Sequence, residues 1–199
     1  MAKRTVFLLV WFGCVVGLGS DIGFCLRAKG GYAQCRKWEP TASRCLSSDK
    51  GYDACRTNGY SHQQCLLAKS GYGDCVEDGY LHSFCLRADS GYKRCRDLGY
   101  AAKRCIGAKS GIEDCFADVP ALAICLAADS GYAECRKDGL SSVRCAGARS
   151  SYAPCRKDGF PPEFCLGITK GYGPCRELGH STQWCLQADE GYALCVADN

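Results

Sequence analysis

The sequence predicts an all-α fold, a solenoid of about nine 20-residue repeats built from short helices and stapled by disulfides. Three observations predict it. Cysteine recurs every ten residues from Cys25 to Cys195 without a miss. The neighbours of those cysteines repeat every 20 residues rather than every ten, and a fixed period of this length marks a solenoid. Glycines divide each repeat into two helix-length pieces in which Val, Ile and Thr are sparse, which disfavours strands.

Residues 1–19 read as a secretory signal peptide. Lys3 and Arg4 supply a positive start, Thr5 to Val16 an apolar run, and Gly17-Leu18-Gly19 the small residues before a cut after Gly19. The apolar run is too short to span a bilayer. Lipidation of Cys14 is the alternative, and it is the one route by which a membrane would enter. Either fate leaves 18 of the 19 cysteines, an even number. Loss of Lys3 and Arg4 lowers the net charge from +4 to +2, too small a surplus for nucleic-acid binding. Residues 20–24 form a short lead-in, and 25–199 a single repeat domain.

Each repeat has unlike halves. The first reads C-L-x-A-[KD]-S-G-Y-x-x, with Gly six residues after the cysteine in eight of nine repeats (Ser151 is the exception) and Tyr after it in eight of nine (Ile112 is the exception). The second reads C-R-x-D-G-Y-x-x-x-x, with Gly four residues after the cysteine in six of eight. The glycines therefore bound a longer piece, such as Ser61 to Ser70, and a shorter one, such as Tyr72 to Asp78. Ser61 is expected to cap the first helix of its piece, and Gly71 to end it in the left-handed conformation. Pro120 and Pro161 fall where a first helical turn tolerates proline. Helices this short are marginal alone in water, so something must hold them.

The cysteines are placed to do so. An exported chain with an even cysteine count is the setting for structural disulfides, and a ten-residue loop closed by one gains roughly 2–3 kcal/mol. Two ladders are open. One pairs Cys25–Cys35, Cys45–Cys55, Cys65–Cys75, Cys85–Cys95, Cys105–Cys115, Cys125–Cys135, Cys145–Cys155, Cys165–Cys175 and Cys185–Cys195. The other begins at Cys35–Cys45 and leaves Cys25 and Cys195 alone at the ends. The first leaves nothing over and is the one expected, although connectivity is not fixed by sequence.

The residue four after each first-half cysteine reads Lys29, Asp49, Lys69, Asp89, Lys109, Asp129, Arg149, Thr169, Asp189. Stacked repeats would set each of these charges between opposite ones, which fixes register more than it stabilises.

Other chemistries are weaker. Thiolate metal sites use cysteines two to four residues apart, and none are so spaced. The rival function is nonetheless a thiol-rich store for Cu+ or Zn. His62, His82 and His180 recur at no repeated position, and no nucleophile motif accompanies them, so no enzyme and no cofactor are expected.

Two stripes bear on binding. Tyr32, Tyr52, Tyr72, Tyr92, Tyr132, Tyr152, Tyr172 and Tyr192 would align in a row, either packed between coils or offered as a ladder for sugar or peptide contact. Arg36, Arg56, Arg96, Arg136, Arg156 and Arg176 follow second-half cysteines, and are expected to be neutralised by Asp or Glu within the next two residues, as in Cys-Arg-Lys-Asp at 135–138. Phe84, Ile124, Phe164 and Trp184 would form an interaction strip if exposed and extra core if buried.

The segment GYSHQQCLLA at 59–68 resembles the A-G-[FY]-S-x-x-x-L decapeptide repeats of short-helix solenoids, with Cys65 at the apolar position. It is more distantly similar to cysteine-stapled Sel1-type α/α repeats, whose unit is longer. The resemblance implies a helical solenoid and no activity. Together these readings predict a secreted, extracellular or periplasmic scaffold, structural or binding a protein or cell-surface glycan, with self-association open to it.

Overall fold

The computed structural model describes residues 23–198. The expected signal peptide, Cys14 and residues 20–22 of the lead-in lie outside the described residues. Seventeen short helices follow one another, from α1 (Tyr32–Arg36) and α2 (Ala42–Cys45) to α16 (Thr182–Cys185) and α17 (Tyr192–Asp198). Residues 23–25 are helical as well, and the described residues contain no strand.

The repeating unit is a helical hairpin followed by a short irregular segment. In α3 (Tyr52–Thr57) six residues are helical, and Gly59, at φ +85°, turns the chain into the four-residue α4 (His62–Cys65). Ser61 caps α4 as expected, through a capping box in which its backbone N–H donates to Gln64 Oε1 at 2.9 Å. The longer sequence piece thus carries the shorter helix, and its remaining residues, 66–70, with Gly71 form the segment that leads to the next hairpin.

These segments make the inner wall. Lys29 N–H donates to Leu46 O and Gly31 N–H to Ser48 O, at 2.9 and 3.0 Å, and the same two bonds recur down the chain as far as Asp129 to Ala146 and Gly131 to Ala148. The backbones approach so closely that a side chain cannot fit between them. A Cβ on Gly71 would lie 2.3 Å from Asp89 O. Gly71 therefore serves close approach, at φ −86°, and not the left-handed helix end expected of it; the left-handed glycines are those of the second halves.

Wedge-shaped repeats curve. At Gly31, Gly51, Gly71 and their equivalents the inner segments approach backbone to backbone, while Tyr and paired cysteines fill the space farther out, so successive coils fan apart. The curvature closes on itself. Asp189 N–H donates to Leu26 O and Gly191 N–H to Ala28 O, at 2.9 and 2.7 Å, the same bonds that join consecutive coils. Helix α17 packs on α1 as every such helix packs on the next. The solenoid is a ring of nine coils, each turned by about 40°, and the ninth is assembled from both ends of the chain.

Ring closure decides the disulfides. The bonds are Cys35–Cys45, Cys55–Cys65, Cys75–Cys85, Cys95–Cys105, Cys115–Cys125, Cys135–Cys145, Cys155–Cys165, Cys175–Cys185 and Cys25–Cys195. The expected ladder, Cys25–Cys35 through Cys185–Cys195, is corrected throughout. The two helices of a hairpin lie side by side across one tight turn, which sets the Cα atoms of Cys55 and Cys65 5.5 Å apart. Cys45 and Cys55, by contrast, lie on either side of an inner segment. Cys25 and Cys195, unpaired in the second ladder, are each other's partners, 170 positions apart in the sequence.

Candidate functional site

The inner segments carry the alternating charges. Nine of them, spaced at about 4.8 Å, close a circle of roughly 7 Å radius, which a lysine side chain spans most of the way to the axis. Side chains from distant coils therefore share one space. A cavity of about 640 Å³ is lined by Arg27, Lys29, Asp89, Lys109, Asp129, Arg149, Thr169, Lys170 and Asp189, with Leu26 and Gln187. A second, of about 500 Å³, lies against the adjoining tier of Lys50, Ser70, Ser90, Ser110, Ser130, Ser150, Lys170 and Glu190, and also reaches Asp49, Lys69 and Asp89.

Ion pairs cross this interior. Lys69 Nζ lies 3.3 Å from Asp89 Oδ2 on the next segment, as the alternation predicts. Lys50 reaches over Gly30 to Glu190 at 2.6 Å, and Lys170 over Ser150 to Asp129 at 3.2 Å. Asp129 is almost wholly buried. Burial pushes its carboxyl up, but the Ser130 N–H and the Lys170 ammonium outweigh that and hold it below the usual carboxylate range.

An odd ring cannot alternate throughout. Nine positions of strictly alternating sign would leave two like charges side by side, and Thr169 is the neutral residue that removes the conflict, between Arg149 and Asp189. The wall is irregular there too. Ser151 replaces the inner glycine and its hydroxyl donates to Lys170 O at 2.8 Å, while the Thr169 hydroxyl donates to Ala188 O at 2.6 Å.

Toward the outer edge lies a second repeated constellation. The Tyr row is not a binding stripe: Tyr32, Tyr52, Tyr72, Tyr92, Tyr132, Tyr152, Tyr172 and Tyr192 are at most 1% exposed. Each ring packs between coils with its hydroxyl at the edge. The hydroxyls of Tyr92, Tyr132, Tyr152 and Tyr172 donate to Asp78, Asp118, Asp138 and Asp158 of the preceding coil, and that of Tyr32 to Asp198. The same carboxylates take Nε of Arg96, Arg136, Arg156, Arg176 and Arg36. The arginines are thus neutralised from the neighbouring coil, not by the next residues of their own; Asp138 pairs with Arg156 rather than Arg136. Hydrogen bonds from arginine and then tyrosine hold these carboxylates below their usual range. Burial and the aspartate bond push the hydroxyls of Tyr132 and Tyr152 up to about 12.

Where the pattern lapses, it lapses coherently. Arg56 has Trp38 in place of an aspartate and stacks its guanidinium 5.2 Å from the ring. Leu98 stands at the aspartate position of one coil, and the next has Ile112 for Tyr and Phe116 for Arg. With no aspartate to receive them, the Tyr52 and Tyr72 hydroxyls turn to Nδ1 of His62 and His82, at 2.8 and 2.9 Å, and Tyr192 accepts from Trp184 Nε1. Burial lowers the pKa of both histidines.

A folded-state value below the unfolded one means that protonation favours unfolding. The contribution of these histidines is complete above about pH 6.5 and declines as pH falls toward the folded values. The urea midpoint is therefore expected to be lower at pH 5 than at pH 7.5, with that drop reduced in the His62→Gln/His82→Gln variant. An equal drop in the variant would assign it to the aspartates alone.

Phe164 is 42% exposed, but Phe84, Ile124 and Trp184 pack partly against the core, so the four do not make one exposed strip. Phe84 and Phe164 instead pair with Tyr80 and Phe160 on their own coils. All eighteen cysteines among the described residues are in disulfides, which leaves no thiolate there for a metal store. No group of three or more His, Cys, Asp or Glu among the described residues could hold a metal ion. Nor is any described helix long and apolar enough to cross a membrane. Nine disulfides point to an oxidising compartment. No protein-family model, no curated protein and no solved structure matches the chain.

Proposed function

We propose that this protein is exported and acts outside the cytoplasm as a rigid, non-catalytic ring, presenting its rim to a protein or a cell-surface glycan. The observation that carries the reading is the use of every described cysteine in a disulfide, one of which joins the two ends of the solenoid. A solenoid whose ends are consumed on each other does not extend into a rod. It gains a fixed shape with no end coil to cap. The histidines support the non-catalytic reading, since tyrosine hydroxyls occupy a ring nitrogen of both His62 and His82.

Thiol titration of the exported protein in denaturant tests this. Essentially no reactive thiol is expected before reduction and about eighteen after it, one for each cysteine of the nine bonds. About eighteen thiols without reductant, with copper or zinc found by elemental analysis, would overturn the scaffold in favour of the metal store. A glycan array and a pull-down from the extracellular fraction then separate the two partner classes.

A further inference from the structure

We infer that the larger axial cavity binds a doubly charged oxyanion, a sulfate or phosphate group, against Arg149. The two cavities differ in charge. The walls of the smaller one balance, with Lys50, Lys69 and Lys170 against Asp49, Asp89 and Glu190. The larger is walled by five cations, Arg27, Lys29, Lys109, Arg149 and Lys170, against three carboxylates, Asp89, Asp129 and Asp189. Its surplus is two positive charges gathered around one cavity.

Parity places that surplus. Around the ring Lys29, Lys69 and Lys109 each have a carboxylate residue on both neighbouring segments, whereas Arg149 has Asp129 on one side and Thr169 on the other. Asp129 is already spent. Its Oδ2 receives Lys170, and its Oδ1 receives the Ser130 N–H at 2.8 Å and the Ser110 hydroxyl at 3.2 Å. Asp89 takes Lys69, and Asp189 has Lys29 on the next segment. Among the described residues, the Arg149 guanidinium donates to a carbonyl, Ile168 O, at 3.5 Å. An exposed guanidinium fork at the cavity wall, with Lys109 two segments away, is the donor set that tetrahedral oxyanions take in bidentate fashion. The cavity also has room for a body attached to the anion.

The oxidised full chain is titrated by calorimetry with sodium sulfate, sodium phosphate and sodium acetate at low ionic strength. One saturable site is expected for sulfate and phosphate, with acetate at least tenfold weaker. Arg149→Gln is expected to weaken sulfate at least tenfold. Thr169→Asp, which supplies the missing carboxylate beside Arg149, is expected to do the same while leaving arginine in place. Lys170→Ser, which takes the residue found at the equivalent position in five coils, removes one cation and also frees Asp129 for Arg149, so it is expected to weaken sulfate by more than one charge's worth, and full-strength binding to it would count against the assignment. Circular dichroism and thiol counts confirm that each variant is folded and fully bridged. No saturable heat with the unmodified chain, sulfate binding to Arg149→Gln or Thr169→Asp at full strength, or acetate binding as tightly as sulfate would each overturn the assignment.

Discussion

Replacing Cys25 and Cys195 together by serine is expected to cost more stability than removing any other disulfide. The reason is the length of chain each bond closes. Cys95–Cys105 closes a ten-residue separation, worth about 3 kcal/mol by loop-closure entropy, whereas Cys25–Cys195 spans 170 residues. The eight short bridges cut across that span and shorten its free path, which brings the expected loss to about 4–5 kcal/mol. Urea unfolding of the Cys25→Ser/Cys195→Ser and Cys95→Ser/Cys105→Ser variants measures the difference. The seam keeps its backbone bonds and the Tyr32–Asp198–Arg36 contact, so the open variant is expected to fold still. A larger loss for the Cys95–Cys105 variant would mean that the ends are not joined in the native ring.

The second large effect is expected at the inner wall. A Cβ on Gly91 would lie 2.1 Å from Lys109 O, a backbone atom held by the next coil. Gly91→Ala must push two coils apart and break the pair Asp89 N–H to Ile106 O and Gly91 N–H to Ala108 O. A loss of about 3 kcal/mol is expected, as for overpacking a dense interior. Gly99→Ala is the comparison. Its φ is +86° but a Cβ there meets open space, so only the left-handed strain applies, about 1 kcal/mol. Equal losses in the two variants would remove close approach as the reason for the inner glycines. Ser151 shows how the chain accommodates a side chain at one such position, by letting the hydroxyl bond Lys170 O.

Much of the architecture is legible in the residues. The 20-residue period, the short helices, the disulfides and the cap at Ser61 all follow from spacing and local chemistry. The pairing does not, because Cys25 and Cys195 look abandoned only if the solenoid is assumed to be open. The chain does carry a sign of closure. Arg96, Arg136, Arg156 and Arg176 each have an aspartate 18 residues earlier, at 78, 118, 138 and 158. Applied to Arg36, that spacing points before the first repeat, and one circuit of nine repeats later it falls on Asp198. The odd count of alternating charges, with neutral Thr169, is a second sign. Lys170 was not legible, since its role depends on reaching across a coil to Asp129, which only the small radius of the ring permits. The burial of the tyrosines was open to either reading, because a row of rings fits a seam between coils as well as a surface.

Closure also changes how the molecule can come apart. A linear array of nine units has eight interfaces, and a unit can peel from either end by giving up one of them. The ring has nine interfaces and no terminal unit, since α17 packs on α1. Any local opening must therefore break two interfaces at once. Fraying, the cheapest route by which repeat proteins meet proteases, is replaced by a process with the energetics of nucleating a hole in a periodic lattice. Amide exchange should then be similar from coil to coil, with the coils at the seam, around Tyr32 and Tyr192, protected like those in the middle of the described residues.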